Sequence, residues 1–164
     1  MTNKREPVVR LGRRSFIKQG ALLLTVGAAG RTALGAAETA AALKVGLVTD
    51  LHYADKAPGG TRMYRETPDK FAEAAERFRR EKPEFIVELG DLIDAADSVN
   101  AELGYLKRIN RDFAQACPQR HYVLGNHCVY TLTKQEFLDG VERDESYYSF
   151  DRGDFHFVVL DSCF

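Results

Sequence analysis

The sequence predicts an α/β domain over residues 38–164, on three observations. Apolar runs alternate with helical segments from residue 42 onward, which is the order typical of a parallel sheet with crossover helices. The composition, 45% apolar and 29% charged, is ordinary for a globular protein and excludes disordered and collagen-like classes. No internal repeat interrupts the alternation, and the Ala-rich first 37 residues differ from everything after them.

Three apolar runs predict buried strands, at residues 43–49, 84–89 and 121–124. A helix is expected between the first two, with Thr67 as its N-cap and Pro68 at its first position, ending before Pro83. A second helix, over 101–117, has its apolar residues on one face and ends at Pro118. A short helix near 134–138 follows, and then two strands at 147–150 and 155–160 joined by a turn at 151–154.

Residues 1–37 predict an export signal. Arg13 and Arg14 open a basic segment, the apolar stretch 21–30 is too short to span a membrane comfortably, and small residues at 33–37 offer a peptidase site. The segment resembles a bacterial twin-arginine signal, which implies the twin-arginine export machinery as a partner and a periplasmic or secreted location. The alternatives are a basic amphipathic helix and an uncleaved anchor.

Charge argues against nucleic acid as the main partner. Residues 1–37 carry seven Lys/Arg and one Glu, so residues 38–164 hold sixteen Lys/Arg against twenty-three Asp/Glu, a formal charge of −7. An acidic body without a basic stripe lacks the electrostatic footprint of a nucleic-acid-binding protein.

Each predicted strand ends in residues that can bind metal. The three clusters are Asp50-Leu51-His52, Gly90-Asp91 and Gly125-Asn126-His127. Any one triplet is common by chance, but the carboxyl ends of parallel strands meet at one edge of a sheet, so we expect the three clusters to share a crevice. Mixed carboxylate, imidazole and amide ligands suit Mn²⁺, Fe²⁺ or Zn²⁺.

These clusters resemble the first three signature blocks of the calcineurin-like metallophosphoesterase superfamily, over residues 43–164. The resemblance implies the N-terminal half of an α/β/β/α sandwich and hydrolysis of a phosphoester or pyrophosphate bond at two divalent metal ions with a bridging hydroxide. In that scheme Asp50 and His52 hold the first ion, Asp91 bridges both, and Asn126 binds the second. His127 acts on the scissile phosphate.

Five further segments are similar to manganese-dependent ADP-ribose/CDP-alcohol diphosphatases: residues 50–55, 60–65, 90–94, 147–150 and 157–161. This similarity implies a phosphorylated small molecule or nucleotide-like substrate. Arg62 and Arg65 are candidates to bind its phosphate, because a guanidinium bonds phosphate oxygens in pairs. The alternative for both arginines is solvated surface charge.

Other polar residues are weaker candidates. Asp94 could orient a ligand, whereas His121 and His156 lie inside apparent strands and are expected to be structural. The three cysteines lack C-x-x-C spacing and are expected to be buried thiols, with one disulfide possible.

Two other classes of protein stay open. The superfamily's later histidine blocks do not follow His127, so an inactive exported fragment or a non-catalytic metal-binding protein is one alternative. An exported α/β binding protein in which the three clusters are accidental is the other.

Overall fold

The computed structural model describes residues 43–163, together with two short strands, β1 (Phe16–Lys18) and β2 (Ala21–Leu23), that pair antiparallel. The chain divides into two compact units, Met1–Ala40 and Ala41–Phe164. Apart from β1 and β2, the predicted export signal lies outside the described residues. Among the described helices, none has the length and apolarity needed to cross a bilayer.

A three-stranded parallel sheet forms the centre of the second unit. Its strands are β3 (Val45–Val48), β4 (Phe85–Glu88) and β5 (Arg120–Tyr122), in the order β3-β4-β5. The predicted α/β class and the three strands are confirmed, although each strand is shorter than its apolar run. The runs are longer because they include residues next to the strands, such as Leu43 and Lys44 before β3 and Val123 and Leu124 after β5.

Helices cover one face of this sheet. They are α1 (Thr67–Glu81), α2 (Val99–Ala116) and α3 (Lys134–Gly140), and two 3₁₀ turns lie at Tyr64–Glu66 and Asn126–Val129. Their apolar stripes form a core with the inner face of the sheet. The largest fully buried members of this core are Phe71, Phe113, Phe137, Ile86, Leu92, Ile93, Leu106 and Ile109.

The predicted N-cap of α1 is wrong. Thr67 is the first helical residue and Glu66 occupies the cap position, because a 3₁₀ turn leads directly into the helix. The buried Thr67 hydroxyl donates instead to the Leu51 carbonyl oxygen at 2.9 Å. The side chain therefore joins α1 to the loop after β3.

An antiparallel hairpin covers the other face of the sheet. It consists of β6 (Tyr148–Arg152) and β7 (Phe155–Val159), so the predicted four-residue turn is wrong: only two residues separate the strands, and Gly153 has a φ of 57°. The Phe85 ring on β4 contacts Phe150 and Phe157 edge to face, with centroids 5.2 and 5.0 Å away. Helices, parallel sheet and hairpin thus form three successive layers.

Candidate metal centre

The loops after β3 and β4 run side by side and continue the pairing of the two strands. The Asp50 amide donates to the Gly90 carbonyl at 3.0 Å, and the His52 amide donates to the Asp91 carbonyl at 2.8 Å. Tyr53 then forms an isolated parallel bridge with Ile93. This pairing holds the first two polar clusters in fixed register.

Three of the polar residues have a left-handed backbone. Asp50, His52 and Asp91 have φ values of 55°, 44° and 63°. L-residues with a Cβ seldom adopt this region, and such strain concentrates at functional sites. The other two described non-glycine residues with positive φ, Lys82 and Glu142, lie directly after α1 and near the end of α3.

Gly125 brings the third cluster against the second. A Cβ at Gly125 would overlap the backbone nitrogen and the carboxylate of Asp91, so only glycine fits there. The His127 amide donates to Asp91 Oδ1 at 3.0 Å. The Asp91 carboxylate is therefore fixed from both loops.

His52, Asp91 and His127 converge. Each offers one ligand atom within 4.8 Å of the others. His52 Nε2 lies 3.5 Å from Asp50 Oδ1 and 3.6 Å from Asp91 Oδ2, and the two imidazole rings meet edge to face with centroids 4.7 Å apart. Two imidazoles and two carboxylates form a donor set that fits Mn²⁺, Fe²⁺ or Zn²⁺.

Asp94 lies behind both histidines and is only 4% exposed. Its carboxylate oxygens are 3.2 Å from His52 Nδ1 and 3.4 Å from His127 Nδ1, out of line for hydrogen bonds, so these contacts are electrostatic. Lys56 Nζ and Arg62 NH1 donate to the same carboxylate at 3.0 and 3.2 Å. Burial acts to raise the pKa of Asp94, but the hydrogen bond and charge of Lys56, with the charge of His127, outweigh it and lower that pKa.

The remaining predicted site residues occupy different surroundings. Asn126 is exposed at the start of a 3₁₀ turn, beside His127 in the chain, and its role as a ligand stays a prediction. Arg62 is connected to the two histidines through its hydrogen bond to Asp94. Arg65 instead pairs with Asp55 at 2.6 Å, and both side chains are more than 60% exposed.

A cavity of about 230 Å³ adjoins the cluster. Asp50 and His52 of the cluster line this cavity, and so do the cations Arg62 and Lys70. Lys70 was not predicted, because in sequence it is one more charged residue on the solvent side of a helix. A larger cavity, about 310 Å³, is lined by Glu142, Arg143, Asp144, Glu145 and Tyr148 and includes none of the clustered residues.

The other candidate residues have structural contacts. His121 stacks on Phe150 with centroids 3.7 Å apart, and its Nδ1 lies 3.1 Å from the Tyr148 hydroxyl. His156 is exposed and pairs with Asp151 at 2.7 Å. The three cysteines are free thiols, and burial, followed by the nearby Glu88 carboxyl, raises the pKa of Cys128 to about 12, so this thiol is no nucleophile.

An α/β sheet that gathers carboxylates and imidazoles at its strand ends defines a candidate metal-binding domain. The chain belongs to the calcineurin-like phosphoesterase family, whose model matches residues 43–163.

Known relatives agree with this assignment. The manganese-dependent ADP-ribose/CDP-alcohol diphosphatase of Arabidopsis thaliana is 27% identical over 139 residues, which cover 78% of this chain and 45% of that protein. The Xenopus laevis protein of the same name is 32% identical over 104 residues, 58% of this chain and 29% of the relative. A crystal structure of a dimetal phosphatase from Danio rerio superposes with a TM-score of 0.56 at 27% identity, covering 73% of this chain and 44% of that one. The chain thus spans less than half the length of the relatives it matches.

Proposed function

We propose that this protein takes part in metal-dependent hydrolysis of a phosphoester or diphosphate bond at a pair of divalent ions. The observation that carries the proposal is the convergence of His52, Asp91 and His127, each from a different strand-end loop, within 4.8 Å. Two of these residues have strained backbones, which indicates that the fold holds them in place for a ligand.

The roles are those that membership of the calcineurin-like phosphoesterase family implies. Asp50 and His52 would hold one ion, Asp91 would lie between both, and Asn126 would bind the second. Bound divalent ions supply an activated water and offset negative charge on the phosphoryl oxygens. Because Asp91 is fixed by the His127 amide on one side, its carboxylate is already positioned before any ion arrives.

His127 is the proposed catalytic residue. Its Nδ1 lies 3.4 Å from Asp94 Oδ1, so Nε2 is the ring nitrogen that would donate a proton to the leaving oxygen. Asp94 Oδ2 lies 3.2 Å from His52 Nδ1, so the same carboxylate would orient this metal-binding imidazole.

The substrate is proposed to be a phosphorylated small molecule, as in the diphosphatases that the chain resembles. Arg62 and Lys70 line the cavity beside Asp50, where a phosphate would approach the ions, although Arg62 also pairs with Asp94 and Lys70 with Glu66, each at 3.2 Å. Arg65 would join them only by leaving Asp55.

The test is hydrolysis of bis-p-nitrophenyl phosphate and of ADP-ribose with added Mn²⁺. Asp91→Asn is expected to abolish metal-dependent turnover, and Asp154→Asn, in the exposed β6–β7 turn, is its matched control. Normal turnover in Asp91→Asn would refute the role of Asp91. Metal uptake without any hydrolysis would favour a non-catalytic metal-binding protein, and no metal uptake would refute the proposed function.

We also propose twin-arginine export to the periplasm or beyond, on the order of basic, apolar and small residues in 1–37. Replacing Arg13 and Arg14 with lysine in the full chain should retain the protein in the cytoplasm. Export that is unchanged by the double replacement would contradict the proposal.

A further inference from the structure

A buried carboxyl that the proposed reaction does not use lies directly below the metal centre. Glu88 is the last residue of β4, three positions before Asp91, and is fully buried. It pairs in register with Val48 on one side and Tyr122 on the other, so it lies at the middle of the sheet where the three loops begin. A carboxyl in that position costs free energy unless it has a specific partner.

The side chain takes over a hydrogen bond that the ladder no longer supplies. The Leu89 amide still donates to the Val48 carbonyl and the Glu88 carbonyl still accepts from Val123. The next amide, that of Gly90, donates instead to Glu88 Oε1 at 3.1 Å. Gly90 has a φ of 118° and Asp91 a φ of 63°, so this bond closes the left-handed turn that presents Asp91.

The surroundings of Glu88 favour a neutral acceptor. Burial is the main cause that raises its pKa well above the usual value, the Gly90 amide opposes it, and the charges of Asp91 and Asp50 act in the same direction as burial. Its second oxygen, Oε2, is buried and has no partner among the described residues. Unsatisfied groups of this kind are rare in folded proteins and call for a specific explanation.

We propose that Glu88 is a positioning residue: its Oε1 holds the Gly90–Asp91 turn in the left-handed form that aims Asp91 at the metal ions. The inference rests on the proposed function for the ions themselves. It extends that function to a residue outside the three polar clusters, one that acts through the backbone and touches neither substrate nor metal.

Glu102 is a matched control for burial and bonding. It is also fully buried, its Oε2 accepts the Ala96 amide at 2.9 Å, and its Oε1 has no partner among residues 43–163. Its hydrogen bond ties the loop before α2 to that helix rather than to a proposed ligand. A purely structural role for Glu88 therefore predicts that both residues behave alike.

The experiment measures Mn²⁺ affinity of the full chain by electron paramagnetic resonance, alongside thermal unfolding. Glu88→Leu, which keeps the volume and removes the acceptor, is expected to weaken affinity about tenfold or more. Glu88→Gln keeps the acceptor and should stay within about twofold of the unaltered chain, as should Glu102→Leu despite its lower melting temperature. In the unaltered chain, the Gly90 amide should exchange with solvent far more slowly than the amide of Gly153 in the open β6–β7 turn.

Each outcome decides the matter. Unchanged affinity in Glu88→Leu, or equal losses in Glu88→Leu and Glu102→Leu, would overturn the positioning role. So would a loss in Glu88→Gln as large as in Glu88→Leu, since charge rather than the acceptor would then matter. If Glu88→Leu does not fold, the exchange rate of Gly90 decides, and fast exchange overturns the proposal. Failure of the unaltered chain to bind Mn²⁺ would instead refute the proposed function.

Discussion

Gly125 shows at the scale of one residue how the backbone makes room for the metal centre. Adding a methyl group in Gly125→Ala would drive Cβ into the nitrogen and carboxylate of Asp91. Overpacking of this kind costs about 1–3 kcal/mol of stability, and we expect it to displace Asp91 and weaken Mn²⁺ binding about tenfold or more. Thermal unfolding and Mn²⁺ titration measure the two effects.

Gly104→Ala is the control for this substitution. Gly104 lies in α2, and a Cβ added there would meet no other atom within 4 Å. Alanine should therefore stabilise the protein by about 0.5–1 kcal/mol through helix propensity. Its Mn²⁺ affinity should not change. A Gly125→Ala protein that binds Mn²⁺ as tightly as Gly104→Ala would show that the close approach to Asp91 has no role in the site.

His121 predicts a pH dependence of stability. Burial, assisted by the charges of Arg143 and Arg152, lowers its pKa from 6.5 to about 4. The unfolded chain therefore binds more protons at this position than the folded chain between those pH values, and stability falls as pH drops from 6.5 towards 4. His121→Phe, which retains an aromatic ring against Phe150, should lose less stability over that range.

Denaturant unfolding at several pH values checks this expectation. The lowered pKa values of Asp94 and Asp161 act at lower pH, below about 3.8, where protonation removes their favourable contacts. Glu88 acts in the opposite sense, since its raised pKa costs stability as pH rises above 4.5. The contributions of Asp94, Asp161 and Glu88 are the same in the unaltered chain and in His121→Phe. Parallel curves of stability against pH for these two proteins would therefore exclude His121 as the cause of the fall between pH 6.5 and 4.

The sequence could predict that three polar clusters converge, whereas the metal-binding and catalytic roles of their residues stay predictions. Asp50, His52, Asp91 and His127 follow apolar runs, and the place where a strand ends can be read from local pattern. Asp94 was a weak candidate, because its importance depends on Lys56, Arg62 and two histidines that approach from other elements. A local sequence pattern does not show contacts between residues that are far apart in the chain.

At the scale of elements, α3 depends on the residue that caps its N-terminus, Thr133. The Thr133 hydroxyl accepts the Glu136 amide at 3.2 Å, and the Glu136 carboxylate accepts the Thr133 amide at 2.8 Å, which together form a capping box. Thr133→Ala should lower the free energy of unfolding by about 1 kcal/mol, because it removes the acceptor for the Glu136 amide at the start of the helix.

Thr133→Ser tests whether the hydroxyl is responsible. Serine retains the acceptor and should keep nearly the full stability measured by denaturant unfolding. Equal losses in the serine and alanine variants would point to the threonine methyl group rather than to the cap.

The helices and strands were predictable as elements, but their ends were less so. Pro83 and Pro118 correctly indicated where α1 and α2 stop, because proline cannot continue a helix. The predicted first residue of α1 was wrong. The sequence shows a threonine before a proline, but it does not show that the Leu51 carbonyl accepts a hydrogen bond from the Thr67 hydroxyl. Tertiary contacts decided that position.

At the scale of the molecule, the meeting of three strand ends was predictable and the aromatic layer was not. Parallel strands must end at one edge of the sheet, so convergence follows from element order alone. The stack of His121 on Phe150, and the contacts of Phe85 with the hairpin, depend on how β6 and β7 fold back over the sheet. Period-two patterns show which residues share a face of a strand, but not which face meets another sheet.

Metal binding should stabilise the whole domain, because the ligands come from loops far apart in sequence. Asp50, His52 and Asp91 can meet around an ion only when the sheet is folded, so the folded state is expected to bind Mn²⁺ and the unfolded chain to bind it weakly. Free Mn²⁺ at a hundred times its dissociation constant should add about 2.7 kcal/mol to the free energy of unfolding. Chelation should remove that gain. Asp91→Asn should melt at the same temperature with and without Mn²⁺, and an equal rise in both proteins would mean that the ion binds away from the three strand ends.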